Sequence, residues 1–177
     1  MRLTQDAAKR VRDYTVPTDF CKVFEDHLDH LYTLSLLLTA DHHKAEQCFI
    51  GGLEDCLQGN SVFREWAQSW ATRVVIKNAI RIISPSRNET NRTTENYDLT
   101  EPASEADTRA AAITKLPPFD RFVYVMSVLE RYSDRQCSIL LDCTVEEIAG
   151  ARTQALQRFV TVASLKERDA LDSAAVA

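Results

Sequence analysis

Apolar residues recur at three- and four-residue steps through most of this 177-residue chain, and this spacing constrains its fold more than any other feature. Such a period places apolar side chains on one face of an α-helix, which must then pack against another helix. Apolar and polar residues never alternate for more than a few positions, and only four residues are glycine. A sheet sandwich or barrel needs that alternation and frequent turns. The sequence therefore predicts an all-α fold.

The period predicts three helices in the first half of the chain. The first carries an apolar stripe from Phe20 to Leu38. Asp41 is a suitable N-cap for the second helix, which runs to about residue 58. The third helix covers about 62–83, with Trp66 and Trp70 among its apolar residues. Because large aromatic side chains are on average well buried, we expect both indole rings to lie largely in the core.

A polar stretch with two prolines, residues 84–103, separates the two halves and has no helical period. We therefore predict two small helical domains, 18–83 and 104–165, joined by this linker. The helices predicted for the second domain cover about 104–115, 120–131, 134–141 and 145–160.

The last two predicted helices fit a helix-turn-helix motif. Cys137 and Ile148 supply apolar contacts, and Ser138 is the small residue that such a crossing needs. Asp142 occupies the turn position where glycine is commonest, and aspartate tolerates a left-handed backbone. Thr144 can cap the second helix. The pattern alone leaves a plain helical hairpin open as an alternative.

The charge changes sign along the first half of the chain. Residues 21–58 contain seven acidic and two basic residues, whereas residues 72–92 contain five basic and one acidic residue. The net charge of −5 does not mark the whole chain as a nucleic-acid binder, but its distribution favours a local site. Arg73, Lys77 and Arg81 are four apart and share a helix face that can meet phosphates. The alternative is a solvated face over a tryptophan-filled core.

Two groups of motifs in this sequence occur together in one protein family. In the second half they are LPPFDRFVYVMSVLE at 116–130, YS at 132–133 and LLDCTVEEI at 140–148. In the first half they are LYTLSLLLT at 31–39, AE at 45–46, FREW at 63–66 and ATR at 71–73. These resemble, in order, the fourth and second conserved regions of extracytoplasmic-function sigma factors. The resemblance covers about 20–83 and 104–160.

The resemblance implies a transcription initiation protein that is not itself an enzyme. Its partners would be core RNA polymerase, promoter DNA and an anti-sigma factor. In that family the second region docks on the polymerase and opens the −10 promoter element. The fourth region places its recognition helix in the major groove of the −35 element.

The site residues that the resemblance implies fall into three groups. The polymerase-docking residues are Glu46, Gln47, Ile50 and Glu54. The DNA-binding residues of the first domain are Arg73, Lys77 and Arg81, and those of the second domain are Thr144, Arg152, Gln154 and Arg158. The docking helix lacks the family's usual acidic residues at Gln47 and Gly51, and it contains two glycines, Gly51 and Gly52. Each glycine inside a helix costs roughly 1 kcal/mol relative to alanine.

The sequence gives little reason to expect catalysis or a metal. The five cysteines form no CxxC pair, and the four histidines offer no set of zinc ligands. No nucleophile elbow or phosphate loop is present. We therefore predict no catalytic residue, no metal and no cofactor.

The location and the function remain expectations at this point. The first residues lack the apolar core of a signal peptide, and no apolar run is long enough to span a bilayer. We expect a cytoplasmic protein with reduced thiols. The alternatives to a sigma factor are a sigma-like protein that binds partners without initiating and a helical interaction module.

Overall fold

The computed structural model describes residues 14–86 and 105–158, and in both ranges the protein is all-α, which confirms the predicted fold class. Its α-helices are α1 (Pro17–Asp26), α2 (Leu28–Thr39), α3 (His42–Gln58), α4 (Ala67–Ile83), α5 (Glu105–Thr114), α6 (Pro118–Tyr124), α7 (Asp134–Leu141) and α8 (145–158). A 3-10 turn, Arg64–Trp66, leads into α4, and a π-helical turn, Val125–Leu129, continues α6.

The described residues group into two compact units. The first contains residues 14–36 and 42–82, and the second contains 37–41, 83–86 and 105–158. Most of the predicted linker and both ends of the predicted second domain lie outside the described residues. The predicted domain boundaries therefore stay a prediction.

The single helix predicted over the first apolar stripe is wrong, because the chain forms α1 and α2 with a break at His27. His27 has φ −120° and ψ 25°, outside the helical region. Before the break Phe20 and Phe24 are buried, but Leu28, four residues further on, is 51% exposed. The break shifts the buried face, which resumes at Leu31. A regular period could not reveal this change of face.

Helices α3 and α4 approach each other closely where Gly52 meets Val75. A Cβ atom on residue 52 would lie 3.0 Å from Val75 Cγ2 and 3.5 Å from Val75 Cα. One turn earlier, the thiol of Cys48 donates to the Val75 carbonyl oxygen at 3.3 Å. Gly51 lies against the side chain of Asn78. The two glycines therefore serve the contact between the helices, which explains why they occur inside a helix.

The turn between α7 and α8 has the geometry that the sequence predicts. Asp142 adopts the left-handed conformation with φ 51°, and the N–H groups of Asp142 and Cys143 both bond to the Ser138 carbonyl. The Thr144 hydroxyl accepts from the Glu147 N–H, while the Glu147 carboxylate accepts from the Thr144 N–H. These reciprocal bonds form a capping box that begins α8. Cys137 and Ile148 are fully buried, as predicted.

Alanine substitutions should distinguish Gly52, which the contact between α3 and α4 requires, from Gly150, which only weakens its helix. We expect Gly52→Ala to destabilise the protein by about 1 kcal/mol, because the stiff side chain of Val75 cannot move aside. Gly150 on α8 has nothing within 4 Å of an added Cβ. Gly150→Ala should therefore stabilise the protein by about 0.5–1 kcal/mol. Urea unfolding measures both, and a stabilising Gly52→Ala would contradict the packing role.

The buried thiol of Cys48 should make stability fall at alkaline pH. Burial raises the pKa of Cys48 from its ordinary value of 9.0 to about 11. Between these two values the folded protein keeps the Cys48 proton, whereas the unfolded chain releases it. The stabilising effect of the protonated thiol is therefore complete below pH 9 and is lost as the pH rises to about 11. The slope is at most about 1.4 kcal/mol per pH unit.

Urea unfolding at several pH values between 8 and 11 tests this prediction. Cys48→Ser removes the titration and keeps a hydroxyl donor for the Val75 carbonyl. We expect the difference in unfolding free energy between wild type and Cys48→Ser to change above pH 9, whereas Cys21→Ser, at an exposed position, should follow wild type. A pH-independent difference at Cys48 would contradict the prediction.

Candidate nucleic-acid interface

Four residues of α4 and the last residue of the 3-10 turn before it form one line, which we call the α4 stripe: Trp66, Trp70, Arg73, Lys77 and Arg81. They follow one another in steps of four, three, four and four residues, so they share one helix face. Trp66 is 56% exposed and Trp70 is 36% exposed. Lys77 and Arg81 are exposed, and Arg73 is half-buried. The structure therefore brings the three predicted basic residues together and adds two exposed rings.

The expectation that both tryptophans lie in the core is wrong. The buried face of α4 includes Ala67, Ala71 and Val75, each one or more positions away from the indoles. Val75 of this face lies directly against Gly52 of α3, so the space between the two helices is small at that point. An indole is too large for such a contact. Trp66 and Trp70 consequently lie on the neighbouring exposed face.

The ring of Trp66 is supported by a neighbouring aromatic side chain. Its centroid lies 4.9 Å from that of Phe63, with the planes at 78°. On its other side Phe63 contacts Tyr14, with centroids 4.4 Å apart and planes at 31°. Such aromatic pairs add roughly 0.5–1.5 kcal/mol beyond area burial. Trp66 is therefore held in place at the N-terminal end of the stripe.

The three basic residues of the stripe differ in their partners. Arg81 donates to Asp55 of α3 at 3.3 Å and to the Asn78 amide oxygen at 3.1 Å. Within the two described ranges, no hydrogen bond or ion pair engages the side chains of Arg73 and Lys77. These two cations remain available for an external anion, while Arg81 also ties α4 to α3.

This arrangement suits a single-stranded nucleic acid. Aromatic rings stack on unpaired bases, and nearby cations meet the phosphates of the backbone. A base inside a duplex offers no free face to such a ring. The hydrophobic pattern did not predict that Trp66 and Trp70 are exposed. Such a pattern assigns an apolar residue to the core, whichever face of the helix the residue occupies.

The predicted docking residues lie on the exposed face of α3. Glu46, Ile50 and Glu54 follow at four-residue steps, and Ile50 is 55% exposed. Gln47 is exposed and its amide lies 3.0 Å from the His43 ring nitrogen. Gly52 is buried on the opposite side of α3, so it does not interrupt this surface. An apolar centre between two carboxylates is thus presented to solvent.

The basic residues of α8 are held by carboxylates of the second unit. Arg152 forms an ion pair with Asp134 of α7, and Arg158 binds Asp120 of α6 at 2.6 Å. Burial raises the pKa of Asp120, and the Arg158 charge opposes that rise. Since 145–158 contains no other basic residue, the described part of α8 has no cation without a partner.

The outward surface near the helix-turn-helix carries acidic and apolar groups together with the exposed side chain of Arg135 on α7. Val145 and Leu156 are exposed apolar residues, and Glu146 is exposed beside them. Gln154 is exposed, and Thr144 is engaged in the capping box. A cavity of about 740 Å³ lies at the turn, with walls that include Phe119, Leu141, Asp142, Cys143, Thr144 and Glu147. Carboxylates at this place repel phosphates.

The comparisons with known proteins identify no family for this chain. No protein-family model and no curated protein matches the sequence. None of the helices in the described ranges combines the length and apolar character needed to cross a membrane. In the same ranges no group of three or more histidine, cysteine or acidic side chains is placed to hold a metal ion, and none of the five cysteines forms a disulfide.

Charge-removing variants should divide the basic residues into structural and binding groups. We expect Arg158→Gln to lower the unfolding free energy by about 1–3 kcal/mol, because it leaves the Asp120 carboxylate buried without its partner. Lys77→Gln should change stability by less than about 0.5 kcal/mol. For nucleic-acid binding we expect Lys77→Gln to have the larger effect. It should lower the salt slope of single-strand affinity by about 0.7, whereas Arg158→Gln should not.

Urea unfolding and fluorescence anisotropy with a labelled single-stranded oligonucleotide at several KCl concentrations measure the two effects. Equal losses of salt slope in both variants would show that Arg158 contacts nucleic acid and would contradict this division.

Proposed function

We propose that this protein is a sigma-factor-like transcription initiation protein of the cytoplasm, which joins core RNA polymerase to promoter DNA. The observation that carries the proposal is the α4 stripe, in which two exposed indoles precede two cations that have no described partner. Catalysis would belong to the polymerase. The protein would supply recognition and the capture of an opened strand.

The α4 stripe supports a role in strand opening. A duplex that opens transiently exposes unpaired bases, and any surface that stacks on them shifts the equilibrium towards the open form. Trp66 and Trp70 offer such surfaces at one end of the stripe. Arg73 and Lys77 hold the backbone of the same strand by charge, which makes the capture sensitive to salt.

The exposed face of α3 supports polymerase docking. Ile50 supplies an exposed apolar centre, and Glu46 and Glu54 rim it with negative charge. Interfaces commonly combine an apolar core with a polar rim, and the rim charges select the partner. This face would therefore fit a polymerase surface that is apolar and basic.

The second unit favours a different role from −35 reading. Reading base edges in the major groove depends on Arg, Lys, Asn or Gln side chains that point away from the protein. Arg152 and Arg158 are paired with Asp134 and Asp120, which leaves Gln154 as the exposed side chain of this kind among the predicted DNA contacts of α8. A second candidate function follows, in which the protein is sigma-like but its helix-turn-helix unit binds a protein partner instead of promoter DNA.

Transcription with purified bacterial core RNA polymerase tests the leading proposal. Wild-type protein should bind core enzyme and give promoter-dependent transcripts. Ile50→Arg should abolish both, because a charge replaces the apolar centre of the docking face. Leu28→Arg on α2 is the matched control, since Leu28 is equally exposed and lies outside that face.

A double variant of Trp66 and Trp70 to Ala tests the role in strand opening within the same assay. It should bind core enzyme normally, fail on a duplex promoter and recover on a template that is already melted. Absence of core binding and of promoter-dependent transcripts in wild type would remove the proposal. If the double variant is inactive on the melted template as well as on the duplex promoter, its defect lies outside strand opening.

A further inference from the structure

The segment 14–16 is held firmly against residues 62–64. The Thr15 N–H and hydroxyl both donate to the Val62 carbonyl, at 2.8 and 3.1 Å, and the Val62 N–H donates back to the Thr15 hydroxyl at 3.0 Å. Thr15 is buried. The Arg64 guanidinium donates to the Tyr14 carbonyl at 3.2 Å and pairs with Asp19 at 3.0 Å. The backbone of Tyr14 is therefore fixed from both sides.

These contacts place the Tyr14 ring in a row with Phe63 and Trp66. Tyr14 lies 4.4 Å from Phe63, and Phe63 lies 4.9 Å from Trp66, measured between ring centroids. Although it packs on Phe63, Tyr14 remains 37% exposed. The row starts at Trp66, the N-terminal residue of the α4 stripe, and continues through Phe63 to Tyr14, away from α4.

We propose that Tyr14 is a third base-stacking residue of the nucleic-acid interface, which lengthens the single-stranded track beyond Trp66. This inference rests on the proposed function. The rings of Tyr14 and Trp66 flank Phe63, so each can meet a different base of one strand. Because hydrogen bonds already hold the backbone of the 14–16 segment, less conformational entropy is lost there on binding.

Stacking and charge leave different signatures, and the experiment uses both. Fluorescence anisotropy with labelled oligothymidylates of graded length, at several KCl concentrations, reports affinity, site size and salt slope. Tyr14→Leu keeps an apolar cover over Phe63 but removes the aromatic ring. We expect it to weaken binding by about fivefold to 150-fold. The salt slope should not change, and the shortest fully bound oligonucleotide should become about one nucleotide shorter.

Matched variants separate this role from a structural one. Tyr14→Phe keeps the ring and should bind like wild type. Val16→Ala changes an exposed residue of the same segment and should also bind like wild type. Circular dichroism and the urea midpoint verify that each variant is folded. If Tyr14→Leu binds less tightly and both Tyr14 variants lose helical signal or have a lowered urea midpoint, Tyr14 has a structural role and the proposal is overturned.

Failure of this inference and failure of the proposed function give distinct results. If wild type binds and Trp66→Leu weakens binding while Tyr14→Leu does not, Tyr14 is no part of the track and the proposed function stands. If wild type does not bind oligothymidylate, or Trp66→Leu has no effect, the α4 stripe is not a single-strand interface and both proposals fall.

Discussion

The close approach of α3 and α4 decides which side chains of the first unit face solvent. A β-carbon at Gly52 would lie only 3.0 Å from the Val75 side chain, and Cys48 bonds directly to the backbone of α4. The residues that α4 buries include Ala71, Val74, Val75 and Ile76. The two tryptophans, Lys77 and Arg81 lie on the other side of the helix, where they are exposed. The predicted docking residues of α3 and the α4 stripe both lie on exposed faces of this helix pair.

Whether a basic residue of this protein can bind an external anion depends on whether a nearby carboxylate already pairs with it. Arg73 and Arg152 are the same residue type on exposed helices, but Arg152 lies against Asp134 while Arg73 has no described partner. An arginine that satisfies a partly buried carboxylate stabilises the fold and has little capacity left for a phosphate. Among the basic residues of α4 and of the described part of α8, Arg73 and Lys77 are thus the two that no described carboxylate engages.

The sequence predicts the helices well, because helical periodicity follows directly from burial of one face. Burial of Cys137 and Ile148 and the left-handed turn at Asp142 were predictable for the same local reasons. The break at His27 was not, since the residues on either side continue the same period. The outward position of Trp66 depends on how closely two helices pack, and this distance has no signature in a single helix.

Ion pairs between distant residues are a second limit of sequence reasoning. Asp134 and Arg152 are 18 residues apart, and Asp120 and Arg158 are 38 residues apart. Nothing in the local pattern around Arg158 marks Asp120 as its partner. The shared helix face of Arg73, Lys77 and Arg81 was thus predictable, but the exposure of the two tryptophans and the availability of each charge were properties of the fold.

The attachment of Thr15 to Val62 also bears on how the protein is made. These two residues are 47 positions apart, so their bonds form only after α1, α2 and α3 have left the ribosome. Helices are local and form quickly, whereas contacts between distant residues form late because a long loop must close first. The aromatic row consequently cannot assemble before residue 66 has been synthesised, and a nascent chain that stops before residue 62 lacks it.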